Sequence, residues 1–399
     1  MGKPRRISLG PIAIVAGAVT TTVLVVMPVC LLGASGLLIR KDLGFAETQL
    51  GLVVGAFYAA SATTAFLVGR HSVAERLGVG RALTAGLVLA IVSSASTAWL
   101  ADSWQQVAVF VAIAGAANGL AQPAANLALA RRVPESRLGL AFGVKQASIP
   151  AATLVAGLAV PLVALTVGWR WAFGATAGAS VLLLIVIAFA GHSGSIAQEP
   201  PGPEGGRQRL KLTGFLLRTM VATALGSLAV NAMRIFFVES AVAKGEKLWM
   251  AALILSVASC AGVISRLFGG WRTDHNDRDP LTSAGVMMLI GACGYATQAF
   301  VSGTLPLLCA TVAAISAGWG YSGLLQLGVV KAHEETPGAA SGIVHSGELL
   351  GSLIGPLIFG VIVVHGSYAA AWWSVAIVGA AGGVMLLCEP RRPRVGSAA

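Results

Sequence analysis

Apolar residues fill this chain in long runs separated by short polar stretches, and within a run they do not alternate as the strands of a membrane barrel would. About 20 consecutive apolar residues cross a bilayer as a helix, the one open-chain conformation that pairs every backbone group within its own segment. The pattern predicts spans at 12–39, 48–69, 82–101, 105–130, 139–165 and 171–191, then 213–238, 248–270, 282–302, 305–330, 339–364 and 369–388. Between the two sets stands GHSGSIAQEPPGPEGGRQRLKL, residues 191–212, whose Pro, Gly and charge predict a flexible linker. The expected fold is therefore an all-α membrane protein of twelve transmembrane helices, arranged as one six-helix bundle in residues 1–190 and a second in 213–399.

The two sets are copies of one another. Adding 199 to Gly115–Pro150 gives Ala314–Leu349, and Gly119, Gly139 and Gly143 then fall on Gly318, Gly338 and Gly342. The same offset carries Glu75 onto Asp274 and Trp169 onto Tyr368. Parallel repeats with an even number of helices imply a pseudo-twofold axis along the membrane normal and a cavity between the halves.

Composition agrees with the pattern. Of 399 residues, 56% are hydrophobic and 11% charged, against roughly 25% charged in soluble domains. The net charge of +11 would suit nucleic acid on a soluble domain, but none is present to carry a basic face. Nineteen Lys and Arg fall on one set of loops and five on the other, with Lys145, Arg234 and Arg266 inside spans. The excess places both termini in the cytoplasm of a multi-pass cell-membrane protein. The N-terminal MGKPRRIS and its apolar run resemble a signal peptide, but the run is too long and lacks a cleavage site, so it counts as the first span. Cys30, Cys260, Cys293, Cys309 and Cys388 lie in apolar segments without CxxC spacing, which indicates neither disulfides nor zinc. No nucleophilic or metal-binding constellation suggests a membrane-embedded enzyme, and no metal or cofactor is expected.

Polar residues inside the spans form stripes. Asn118, Gln122 and Asn126 recur every fourth residue, Ser227, Asn231 and Arg234 stand at i, i+4 and i+7, and His345, Glu348 and Ser352 share another face. Ionisable groups at the bilayer centre cost several kcal/mol unless they face a cavity or a partner. Those embedded are Lys145, Arg234 and Glu348, with Arg266 nearer a helix end. Two cations from opposite halves against one fully embedded acid would be balanced by a negatively charged solute. Alternatively, both cations pair with carbonyls, or Lys145 snorkels to the cytoplasm. Glu348, about three turns into its helix, has the desolvated carboxyl that a proton carrier needs, with His345 one turn away to share the proton. A permanently protonated, hydrogen-bonded Glu348 is the other reading.

The loop HSVAERLGVGRAL, residues 71–83, resembles the signature loop of the major facilitator superfamily through Ala74, Glu75, Arg76, Gly78 and Arg81, although His71 replaces its first glycine. GWRTD at Gly270–Asp274 is the second, shorter copy, and GWRWAF at Gly168–Phe173 is similar to the turn between the fifth and sixth helices of many members. The resemblance implies the major facilitator fold, and it implies that Glu75, Arg76, Arg81 and Asp274 latch the cytoplasmic helix ends. It also implies that the first, fourth, seventh and tenth helices line the cavity, with the second, fifth, eighth and eleventh flanking it. Tyr58, Trp319, Tyr321 and Gln326 then join Arg234, Lys145, Asn231, Asn118, Gln122 and Asn126 as candidate substrate contacts. FGVKQ at Phe142–Gln146 looks like the cyanate and nitroimidazole permease branch, whereas the antiporter run G-x-x-x-G-P is missing before Pro150. The expected function is proton-coupled, alternating-access transport of a small anion by a monomer, with Glu348 and His345 carrying the proton. A pump exporting amphipathic or cationic compounds is the alternative.

Overall fold

The computed structural model describes residues 11–70, 77–133, 138–192, 213–275, 279–332 and 337–388, and among them there is no strand. Twelve of its helices are long and apolar enough to cross a membrane. In chain order they are α1 (Pro11–Leu43), α2 (Glu47–Arg70), α3 (Val79–Trp99), α4 (Trp104–Arg132), a broken α5 and α6 (Trp169–His192). The second six are α7 (Gly214–Ala243), α8 (Leu248–His275), α9 (Pro280–Gln298), a broken α10, α11 (Pro337–His365) and α12 (Tyr368–Leu387). Most of the linker expected at 191–212 lies outside the described residues, as do Glu75 and Arg76.

Two helices are interrupted where the sequence predicts single spans. The fifth divides at Ala147 into α5a (Leu138–Gln146) and α5b (Ser148–Ala159), and the tenth divides at Ala317–Gly320 into α10a (Thr304–Ser316) and α10b (Tyr321–Ala332). Proline lacks an N–H, so Pro150 cannot bond the Gln146 carbonyl four residues back. That carbonyl accepts instead from Arg266 Nη1 of α8 at 2.5 Å. Arg266 Nη2 donates to the Trp319 carbonyl in the α10 break at 3.1 Å, and the neighbouring Ser265 hydroxyl donates to the Ser316 carbonyl at 2.6 Å. One turn of α8 thus supplies donors to both breaks.

For orientation, the end of the bundle carrying the α1–α2 turn is the upper face. The halves meet mainly in its vicinity. A β-carbon on Gly51 of α2 would stand 2.8 Å from the Pro356 carbonyl of α11, and one on Gly33 of α1 would stand 2.5 Å from the Arg234 carbonyl of α7. Ser256 of α8 donates to the Leu154 carbonyl of α5b at 3.1 Å. Only small residues allow such approach, and packing of this kind replaces the hydrophobic force that lipid does not supply.

Both α1 and α7 run about a turn further than the apolar pattern indicates, and each ends at a glycine with positive φ, Gly44 at 67° and Gly245 at 95°. The extension corrects the sequence reading, which ends the spans at 39 and 238 and so misses a second embedded acid. Glu239 is 3% exposed and pairs with Arg40 at 2.5 Å, while Arg40 also bonds Glu47 at 2.8 Å and Tyr368 donates to Glu239 at 3.4 Å. Beyond α7, Lys244 donates to the Gln298 and Val301 carbonyls at the end of α9, and burial lowers its pKa. These contacts tie the upper ends of α1, α2, α7 and α9 together. The polar groups that stay more open, Asn126, His345 and Glu348, lie towards the other face.

Two outcomes test this packing. Gly351→Val drives a side chain of α11 into the Ala224 carbonyl of α7, so thermal unfolding in detergent should show a loss of about 1–3 kcal/mol, while Gly178→Val, in open space, should show none. Glu239→Ala unties α1 from α7. Cys30, now 3% exposed, should then react several-fold faster with a small polar thiol reagent when the other four cysteines are replaced by serine.

Candidate functional site

The buried polar residues occupy two connected levels. The level nearer the lower face is built from the first half alone. Lys145, the penultimate residue of α5a, is 3% exposed and donates to Gln122 Oε1 of α4. Gln122 Nε2 donates to Asn118 Oδ1 at 3.2 Å, and Asn118 Nδ2 donates to Ser61 Oγ of α2 at 2.8 Å. The every-fourth-residue pattern of α4 thus becomes a chain of amides that solvates one ammonium. Lys145 does not snorkel. Asn126, the third member of that stripe, is exposed one turn further down.

The central level joins both halves. Arg234 of α7 is 4% exposed, and its guanidinium donates to Asn231 Oδ1 at 2.9 Å, Tyr58 OH at 3.3 Å, Thr153 Oγ1 at 3.3 Å and Cys30 Sγ at 3.0 Å. Three of these partners belong to the first half. Tyr58 in turn donates to Asn231 Oδ1 at 2.5 Å, and Asn231 Nδ2 donates to Ser352 Oγ of α11 at 2.9 Å. Ser227 Oγ bonds both Ser352 Oγ at 2.7 Å and the Glu348 carbonyl at 2.8 Å. Every acceptor around Arg234 is formally neutral, so the charge is solvated without being cancelled.

Trp319, in the α10 break, lies between the levels. The Arg234 guanidinium carbon is 4.6 Å from its ring centroid and that of Arg266 is 4.7 Å away. Each cation–π contact contributes about 0.5–2 kcal/mol. A ring so engaged does not offer a free plate for a planar solute, which narrows the stacking role expected for it. Tyr321 packs its ring in an apolar cluster with Leu216, Ala222, Met288 and Leu325, and its hydroxyl donates to the Thr223 carbonyl at 3.4 Å. Gln326 of α10b is partly buried.

Glu348 is 22% exposed at its side chain, with Oε2 2.9 Å from Nδ1 of His345, which is 46% exposed. Its charge is felt at both Lys145 and Arg266. Of the residues expected to form a latch, Arg81 is exposed in the first turn of α3, Asp274 belongs to the last turn of α8, and Glu75 and Arg76 lie outside the described residues. Arg266 is the site residue that sequence reasoning under-weighted. Pro150 announces an orphaned carbonyl, but nothing in the sequence says which donor meets it. Among the described residues no group of His, Cys, Asp and Glu could hold a metal ion.

A twelve-helix bundle with buried cations at the meeting of its halves defines a carrier rather than an enzyme. The profile of the Major Facilitator Superfamily matches residues 9–347, and the chain belongs to that superfamily of membrane transporters. Among solved structures it is similar to a D-xylose-proton symporter, at 15% identity with 94% of this chain and 97% of that chain covered and a TM-score of 0.78. It is also similar to the xylose transporter XylE from E. coli in a partially occluded inward open conformation, at 15% identity with 96% and 100% covered and a TM-score of 0.76. At such identity the likeness carries the fold, two pseudo-symmetric six-helix bundles. No curated protein matches the chain's sequence.

The Lys145–Gln122 contact gives a double-mutant test. Gln122→Leu strands a buried ammonium and should cost about 1–3 kcal/mol of stability in detergent, and adding Lys145→Met should restore most of it.

Proposed function

We propose that the chain is a secondary transporter that moves a small organic or inorganic anion together with protons. Residues 1–190 and 213–399 rock as two bodies about the central site, and both termini are cytoplasmic. The chain works as a monomer. One observation carries the reading: Lys145, Arg234 and Arg266 are each under a tenth exposed, while the hydrogen bonds described for them go to amide, hydroxyl, thiol and carbonyl acceptors rather than to a carboxylate. Uncompensated cations in a medium of low dielectric are costly, and a solute of opposite sign relieves that cost in the occluded state. The same surplus disfavours a cationic compound.

The proton follows from Glu348. Its carboxylate faces Lys145 and Arg266 and is paired with His345, so a proton can reach it when the lower face is open. Proton binding there removes the internal counter-ion of Lys145 and Arg266 and leaves them more available to a substrate anion. Arg234 then has a second task. Its bonds to Tyr58, Thr153 and Cys30 tie the halves together, and an anion that takes over the guanidinium would loosen that tie.

The reading is tested in proteoliposomes with an imposed pH gradient and a panel of labelled anions beside neutral xylose. Anion accumulation should follow the gradient, fall at least about tenfold in Arg234→Met as one charge-assisted contact worth roughly 1.5–3 kcal/mol is lost, and become independent of the gradient in Glu348→Gln. Xylose uptake that Arg234→Met leaves unchanged would overturn it.

A further inference from the structure

Arg266 has more hydrogen-bonding capacity than the two helix breaks consume. Its Nη1 and Nη2 serve the Gln146 and Trp319 carbonyls, but its Nε is buried and has no hydrogen-bond partner. The side chain as a whole is 7% exposed. A guanidinium carries five N–H groups, so closing two carbonyls leaves donors over, and an unpaired buried N–H is costly enough that structures seldom keep one without a use.

Its neighbours define what that donor would meet. Gln146, whose carbonyl Arg266 holds, directly follows Lys145 in α5a, and Arg266 and Arg234 both pack on the Trp319 ring. Lys145, Arg266 and Arg234, contributed by α5a, α8 and α7, therefore gather at the meeting of the halves. The charged groups facing Arg266 are Arg234 and the Glu348 carboxylate of α11, with Tyr321 as a neutral phenol, and the same carboxylate also faces Lys145. Three positive groups against one carboxylate leave a surplus of two.

We infer that Arg266 is a third substrate-binding cation, and that the solute is a compact divalent anion, such as a short dicarboxylate or a divalent inorganic oxyanion. This rests on the anion-carrier reading above and narrows it. A monovalent anion leaves one buried charge uncancelled with Glu348 ionised and two with Glu348 protonated, whereas a divalent anion leaves none or one. A compact dianion also has acceptor oxygens at both ends, as bridging between cations of different helices requires. Binding would draw the α5 and α10 breaks together through the residue that already joins them.

The decisive measurement uses the purified full-length protein in detergent at pH 7.5, with oxalate, malonate, sulfate or phosphate compared with formate, acetate and nitrate at equal ionic strength. The divalent set should raise the Tm in a saturable, concentration-dependent way, and the monovalent set should not. In Arg266→Gln, which lowers the surplus to one, the preference should move at least about tenfold towards monovalent anions, whereas a merely structural role would weaken all anions alike. If that variant does not fold, the wild-type comparison decides alone. Monovalent anions that stabilise the wild type as well as divalent ones do would overturn the divalent assignment and leave an anion carrier standing. A wild type that responds to no anion in either set overturns both readings.

Discussion

A backbone group inside a bilayer has no water to turn to, so a helix that breaks there must hand its carbonyls to another part of the protein. In this transporter the breaks in α5 and α10 are both served from one turn of α8, by Ser265 and Arg266. That constraint fixes three helices of two different halves around one guanidinium. It also explains why a full charge is tolerated so deep: the carbonyl dipoles it satisfies solvate it in return. Lys145 beside the first break and Trp319 within the second take their positions from the same arrangement.

Electrostatic surplus and conformational freedom are linked here. Arg234 is held by hydroxyl, thiol and amide acceptors from α1, α2, α5b and its own helix. Neutral acceptors can be exchanged for water or for a solute at modest cost, whereas a carboxylate partner would hold the arginine fast. A transport site needs partners of the first kind. The upper face uses the second kind, with Arg40 between Glu239 and Glu47.

Much of this was legible in the sequence. The twelve spans follow from run length, and the stripe Ser227–Asn231–Arg234 follows from helical spacing; Asn231 bonds both neighbours, and Ser227 and Asn231 share Ser352. Asn118 and Gln122 were equally readable, but Asn126, on the same face, lies beyond the depth at which the amide chain ends. Periodicity fixes a direction around the helix and says nothing of depth. Hydropathy also ends a span where a charge stands at the edge of its apolar run, which leaves Arg40 and Glu239 outside the predicted spans although the helices run through both. Tyr321 shows another limit: an aromatic near a helix break packs into a neighbouring apolar cluster as readily as it faces a cavity, and the sequence does not separate the two.

Arg40 and Glu239 stand 199 residues apart, the same interval that superposes one copy of the repeat on the other. Each is the other's counterpart, and they touch where α1 and α7 approach the pseudo-twofold axis. In a true homodimer of either half, arginine would face arginine or glutamate would face glutamate, and the contact would repel. Joining the copies in one polypeptide frees the two positions to carry opposite signs, so this ion pair belongs to the fused chain and could not be recovered by assembling two identical halves.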